Sequence, residues 1–308
     1  MDRPIDVLHE FPVRKTRRQK KLFREAVVLY ARNLGYESHV EQGSLGVNNI
    51  VLGDPEKASY LITAHYDTCA RLPFPNLITP CNLLLFCLWQ VVLCLLLGIP
   101  AGVFGGVLGG LMQSHQLVAV LAYLFLLAEL GLMLVGPANA HNANDNTSGV
   151  VTLLETAAAL PQELRSKVCF ALFDLEEAGL LGSASYRKAH RAQSSRQLVI
   201  NLDCVGDGDE ILLFPTAGLK KSPQRMEKIS KLCARHGNKQ LLLRERGFAF
   251  YPSDQKNFPH ALGIAALRRS KWAGLYLNRI HTSRDTNFDE KNIALLRQWL
   301  ISALANEV

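Results

Sequence analysis

The sequence predicts an α/β fold: a mostly parallel mixed sheet sandwiched by helices and interrupted by a two-helix, transmembrane-like insertion. Three observations carry this. Short apolar runs alternate with stretches of helical periodicity along most of the 308 residues, which is the pattern of a largely parallel sheet. Several of the apolar runs end in Asp, Glu or His, as active groups do at the carboxyl ends of strands in such folds. From Leu72 to Ala128 there is not one Asp, Glu, Lys or Arg, so a membrane-like block divides the chain.

The elements follow in order. Residues 15–34 set Leu22, Phe23, Ala26, Val27, Tyr30 and Leu34 at helical spacing, with Gly35 as a stop. "NIVLG" (49–53) and "SYLITAH" (59–65) read as strands around a Gly-Asp-Pro turn. Beyond the chargeless block, 149–160 is a helix ended by Pro161 and 167–174 a strand. The helix "EEAGLLGSASYRKAH" (176–190) comes next, followed by strands at 197–205 and 210–214. Residues 222–236 read as a helix, 263–268 as a strand and 289–306 as a closing helix.

The chargeless block divides at "MQSHQ" (112–116) into two arms, Leu83–Leu111, broken near Gly98–Pro100, and Leu117–Val135, with the single acid Glu129. Each reaches the roughly 20 apolar residues that a bilayer core needs. The expected division is a discontinuous domain of residues 1–75 and 137–308, with 76–136 inserted and lipid surrounding 82–135. A buried core hairpin is the competing reading. Gly98, Gly102, Gly106 and Gly110 recur every four residues, a spacing that lets helices approach closely in lipid. Their partner would be the second arm or a neighbouring chain in a homo-oligomer. Arg71 and Lys57 precede the first arm and the loop between the arms has no Lys or Arg, which points to a cytoplasmic domain. The absence of an apolar leader at the N-terminus, and seven cysteines without paired spacing, agree with a reducing compartment.

Net charge is +7, and Arg14, Lys15, Arg17, Arg18, Lys20, Lys21 and Arg24 crowd one stretch. With one aromatic there and no recognised module, nucleic acid is not an expected partner. The stretch reads as a solvated helix face or as a contact for anionic lipid.

Chemistry gathers at the strand ends: His65 and Asp67, Asp174 with Glu176 and Glu177, and Asp203. The loop "NANDNTSG" adds Asp145, and "RIHTSRDT" adds His281 and Asp285. Any one of these is ordinarily a cap or turn residue. Five such endings in one crevice would repel one another, and no Lys or Arg is interleaved with them. Two histidines with three or more carboxylates suit zinc or a similar divalent ion, with coordination positions open to water.

The order His-Tyr-Asp, Asn-Asp-Asn-x-Ser-Gly, Glu-Glu-x-Gly-Leu-x-Gly-Ser, Asn-Leu-Asp and His-Thr-x-x-Asp-Thr resembles the di-zinc aminopeptidase family. That family also contains glutamate carboxypeptidases, glutaminyl cyclases and inactive receptor ectodomains. The resemblance implies two divalent ions, zinc by preference. His65, Asp145 and Asp203 would hold one, and Asp145 would bridge to a second held by Glu177 and His281. Glu176 would be the general base acting on a metal-bridging water. Asp67 and Asp285 would orient His65 and His281. Tyr251, or in its place Phe250, falls where an oxyanion donor would stand. "Ser253-Asp254-Gln255" departs from the family's Ser-Asp-His, and helix capping is the simpler role for Ser253 and Asp254. The expected activity is hydrolysis of peptides with a free N-terminus. A glutaminyl cyclase-like acyltransferase, a carboxypeptidase or a dipeptidase are the alternatives. The family's usual pattern sets the Asn-Asp loop a couple of dozen residues after His-x-Asp, so the apolar block reads as an insertion between two halves of one site.

Overall fold

The computed structural model describes residues 1–308. In chain order its main elements are α1 (Arg17–Asn33), β1 (Ser38–Gln42), β2 (Asn48–Leu52), β3 (Tyr60–His65), α2 (Leu83–Leu111), α3 (His115–Val135), α4 (Gly149–Ala159), β4 (Val168–Phe173), α5 (Leu181–Ala189), β5 (Leu198–Leu202), β6 (Glu210–Pro215), α6 (Pro223–Lys231), β7 (Arg235–His236), β8 (Lys239–Leu243), β9 (Ala261–Ser270), β10 (Gly274–Tyr276) and α7 (Glu290–Ala305). The strands form one sheet in the order β1-β2-β4-β3-β5-β9-β6-β8-β7, with β10 paired to β9. β4, β3, β5 and β9 run parallel; β2 and β6 flank them antiparallel.

β3, β4 and β5 are buried at every position, because helices cover both faces of the sheet. Successive residues point to opposite sides. Ile62, Phe170 and Ile200 join Phe23 and Val27 of α1, Leu153 of α4 and Leu296 of α7 in the larger core. Leu61, Ala171 and Val199 meet Tyr186 of α5 and Phe258 on the other face.

Three expectations need correction. The helix expected from residue 176 begins only at Leu181. Leu175, Gly179 and Leu180 take φ of 55°, 102° and 62°, a left-handed path that no α-helix continues through, so Glu176 and Glu177 stand in a turn. The helix expected over 222–236 ends at Lys231, and the chain doubles back into β7 and β8. The first apolar arm is not broken: α2 runs unbroken with Pro100 inside it. The missing amide removes one rung of the ladder, and the apolar turns on either side carry the helix across.

α2 and α3 are long and apolar enough to cross a membrane, with mean hydropathy 2.5 and none of their most apolar stretches buried within the protein. The hairpin is therefore not part of the soluble core. Its base is stitched by backbone bonds from Arg71 N–H to the Pro137 carbonyl (2.9 Å) and from Asn139 N–H to the Cys69 carbonyl (3.0 Å). Within it, the small residues facing α3 are not the expected ones. Cβ atoms on Gly105 and Gly109 would lie 2.4 Å and 2.5 Å from Val118 atoms, whereas Gly98, Gly102, Gly106 and Gly110 meet nothing within 4 Å. The expected stripe thus does not face the second arm.

This contrast is testable. Gly105→Leu should destabilise the protein by about 1–3 kcal/mol through overpacking, and Gly106→Leu should leave its thermal unfolding unchanged.

Candidate metal centre

Parallel pairing brings the ends of β3, β4 and β5 to one edge of the sheet, carrying His65, Asp174 and Asp203 with them. The loop that holds Asp145 is tied to the end of β5 by its own polar side chains. Asn146 Nδ2 donates to the Leu202 carbonyl (2.8 Å), and Asn146 Oδ1 accepts from Cys204 N–H (3.2 Å). Ser148 Oγ accepts from Val205 N–H (3.0 Å), and Asn144 Oδ1 accepts from Gly206 N–H (2.6 Å). Gly149 permits this approach, since a Cβ there would sit 2.5 Å from the Leu202 carbonyl oxygen.

Asp145 faces two ways. Its Oδ1 lies 3.2 Å from His65 Nε2, and its Oδ2 lies 2.9 Å from His281 Nε2. Asp203 Oδ1 is 3.6 Å from His65 Nε2, and Glu177 Oε2 is 3.4 Å from His281 Nε2. Two donors on a tetrahedral zinc at 2.0–2.1 Å are separated by about 3.3 Å, so both trios have the spacing of ligand sets sharing one carboxylate. Glu177 Oε1 is buried without a hydrogen-bond partner. These side chains fit a divalent cation. Glu176 sits against His65 and Asp203 and is only partly buried, on the side where the cluster opens to the surface.

The carboxylates and imidazoles of the cluster also perturb one another electrostatically. Burial, then the nearby Glu177 and Asp254, push the Glu176 carboxyl well above its usual range. Burial pushes Glu177 up to about 7. Burial opposes charge on His281, but Glu177 and Asp145 hold its imidazole up to about 10. His65 is likewise buried, yet Glu176 and the hydrogen bonds to Asp145 and Asp203 keep it well above its ordinary value. Burial disfavours charge on Asp145 too, but the two imidazoles hold it well below the carboxylate range. His281 and Cys204 adopt φ of 60° and 58°, backbone strain of a kind that clusters at functional sites.

The remaining expected residues distribute unequally. Asp67 lies 3.5 Å from His65 Nδ1 and accepts from Glu176 N–H (3.0 Å) and Glu177 N–H (3.2 Å), coupling β3 to the acidic turn. Asp285 does not orient His281 through a hydrogen bond. Its oxygens accept instead from Asn144 N–H and Asp145 N–H (3.0 Å each), holding the Asp145 loop. Tyr251 stacks on Phe214 with its hydroxyl 3.5 Å from the Asp203 carbonyl, whereas Phe250 turns away to Phe86 of α2. Ser253 and Asp254 cap nothing. Asn201 Nδ2 donates to Ser253 Oγ (3.0 Å) and Gln255 Oε1 (2.9 Å), and both Asp254 oxygens are buried without hydrogen bonds, its carboxyl pushed by burial to about 7.

The sequence reading missed two cations behind the acids. Arg14 is fully buried, donating to the Tyr66 carbonyl, the Phe11 carbonyl and Thr147 Oγ1; burial lowers it to about 10 against the pull of Asp67 and Asp145. Lys20 makes a buried pair with Asp174 at 2.7 Å. Their membership in an otherwise surface-like basic run hid them. Cys69 and Cys204 also lie against the cluster, their thiols pushed well up by burial and neighbouring acids.

Removing the brace on the Asp145 loop by Asp285→Ala should lower divalent-metal affinity about 10–100-fold, as read by competition with a chromogenic chelator. With His281 held up to about 10 and Glu177 at about 7, the metal-free site keeps a proton on the imidazole and part of one on the carboxyl at neutral pH, and ligands must shed them to bind. Metal uptake should therefore release protons, with affinity climbing from about pH 6, as Glu177 deprotonates, to about pH 10, where His281 does. Calorimetry in buffers of different ionisation enthalpy measures both.

Nearly all of the chain superposes on solved α/β structures. Porphyromonas gingivalis glutaminyl cyclase matches at TM-score 0.60 and 17% identity, over 97% of this chain and 94% of that one. A Zn-dependent exopeptidase from Parabacteroides distasonis gives 0.58 and 15%, over 96% and 93%. The Legionella pneumophila LapA aminopeptidase gives 0.57 and 14%, over 97% and 66%. At these identities the likeness speaks for the fold. No curated protein matches the sequence. A profile of Peptidase family M28 covers residues 130–302, a span that holds Asp145, Glu176, Glu177, Asp203 and His281 and more than half of the chain. This chain belongs to peptidase family M28.

Proposed function

We propose that the protein is a di-zinc aminopeptidase anchored in a membrane by the α2–α3 hairpin. The observation that carries this reading is Asp145, whose two oxygens address two separate histidine–carboxylate sets. His65, Asp203 and Asp145 would hold one ion, and His281, Glu177 and Asp145 the other. Bound there, the ions would acidify water and polarise the scissile carbonyl.

The chain's own residues supply the rest. Glu176, which stands against His65 and Asp203, takes a proton from the attacking water and passes it to the departing amine. Asp67, bonded to the amides of Glu176 and Glu177, fixes the turn on which the base and a ligand stand side by side. Tyr251 is the candidate donor to the developing oxyanion. The surplus of carboxylates at the open side favours a substrate with a cationic free N-terminus. A groove of about 810 Å³ leads to Glu177 between Lys15 and Gln19 of the N-terminal segment and Leu132, Val135 and Pro137 at the foot of α3. Its apolar wall fits peptides released at a membrane surface. The cations at the hairpin's base argue for a cytoplasmic domain.

Free and N-acetylated peptides, compared in parallel with metal content, test the proposal. Free peptides should lose their N-terminal residue and acetylated ones should resist. Glu176→Gln should cut turnover about 10²–10⁴-fold while retaining metal. Cyclisation of glutaminyl peptides without hydrolysis would instead identify a cyclase.

A further inference from the structure

The feature outside the metal centre that neither the hairpin nor the peptidase reading uses is the turn between β9 and β10. Trp272 at its tip is 92% exposed, with exposed Lys271 beside it. An exposed indole beside a lysine is the pairing found in residues that anchor proteins at a membrane–water interface. The turn is bound to the start of α2: Asn82, the cap of that helix, donates from Nδ2 to the Ala273 carbonyl (3.4 Å). A second segment joins it there. The Phe250 N–H donates to the Pro80 carbonyl (2.9 Å), Phe86 of α2 contacts the rings of Phe248 and Phe250, and Phe250 remains 43% exposed.

Direction settles which way this patch looks. β9 runs parallel to β5, and β5 parallel to β3, so the end of β9 emerges from the sheet edge that carries His65 and Asp203. The two helices of the hairpin leave from that same edge. Charge adds to shape. Arg268 and Arg269 are already paired with Asp207 and Glu210 and contribute little. Lys271, Arg244 and Arg246 form no ion pair, and Glu245 is the one acid in the segment beside them. Across the base, Lys15 donates to the Leu134 carbonyl at the foot of α3 (3.0 Å), and exposed Arg71 lies at the stitch. Cations thus ring the base of the hairpin, with indole and phenyl rings among them.

We infer that the Trp272 turn and the 244–250 segment form a docking face for an anionic bilayer surface, a second foot beside the hairpin that holds the catalytic edge against lipid headgroups. Tryptophan settles at the membrane–water interface, with its ring at headgroup level, and clustered Lys and Arg are drawn to anionic leaflets. The inference rests on the membrane reading of α2 and α3, and Trp89 of α2 provides an internal reporter for that reading.

The test uses the full chain in vesicles of phosphatidylcholine carrying brominated acyl chains, with and without phosphatidylserine. Two single-tryptophan proteins are compared, one keeping Trp272 and one keeping Trp89, each with the other tryptophans changed to Phe. Should Trp299→Phe unsettle the core, the difference between the unsubstituted protein and Trp272→Phe alone gives the same reading. Trp272 should lose emission, more to bromines near the headgroup than to bromines near the chain end. Phosphatidylserine should deepen the loss, and Arg246→Glu with Lys271→Glu should erase that increment. Quenching of Trp89 with water-like, unquenched Trp272 overturns the docking face and leaves the hairpin standing. If neither is quenched, the membrane reading fails and the docking face with it. Equal quenching of Trp272 in both lipids overturns its preference for anionic headgroups.

Discussion

The fold concentrates negative charge where water is scarce, and the rest of the structure answers to that. Parallel pairing of β3, β4 and β5 sends His65, Asp174 and Asp203 out of one edge. Asp145, Glu176 and Glu177 join them from loops. Carboxylates this close cannot all ionise without a compensating cation. The chain meets part of the demand itself. Lys20 neutralises Asp174, and Arg14 lies buried behind Asp67 and Asp145. What remains at the centre is Asp145 between two imidazoles, with Asp203, Glu176 and Glu177 against them, a donor set that fits a divalent cation.

The parts of this that could be read from sequence are those set by local pattern. Apolar runs such as "YLITA" and "VCFALF", each ending in an ionisable residue, disclosed the central strands and their catalytic edge, because burial on both faces requires continuous hydrophobicity. The edge strand Arg235–His236 and its neighbour Lys239–Leu243 were not legible. They are short and partly polar, and the pairing that makes them strands is long-range. The residues around Glu176 favour helix locally, whereas the tertiary path drives Leu175 and Leu180 to positive φ. Arg14 and Lys20 were hidden for the reverse reason. Charge signals exposure unless a distant partner exists, and Asp174 and Thr147 are distant in sequence. The family resemblance implies that Asp285 orients His281, but its hydrogen bonds run to a loop far back in the chain.

The hairpin shows how a sequence pattern can be right in kind and wrong in detail. Small residues every four positions do mark a close helix contact. α2 carries two such stripes, one residue out of phase with itself around the helix, and Gly105 and Gly109 are the ones that α3 covers. Spacing alone could not choose between them, since the choice depends on the direction in which the returning helix approaches.

The stitch at the hairpin's base also bears on how the chain finds its fold. β3 and β4 are neighbours at the centre of the sheet, but roughly a hundred residues separate them along the chain. Once α2 and α3 have zipped together and Ala70 has met Ala138, the path between the strands shortens to about 35 residues, and loop-closure scaling makes their meeting easier by about 1 kcal/mol. An insertion that looks like an interruption therefore shortens the search. The same closure draws the half-site carried by His65 towards the half carried by Asp145, so the hairpin offsets part of the entropy cost of its own length.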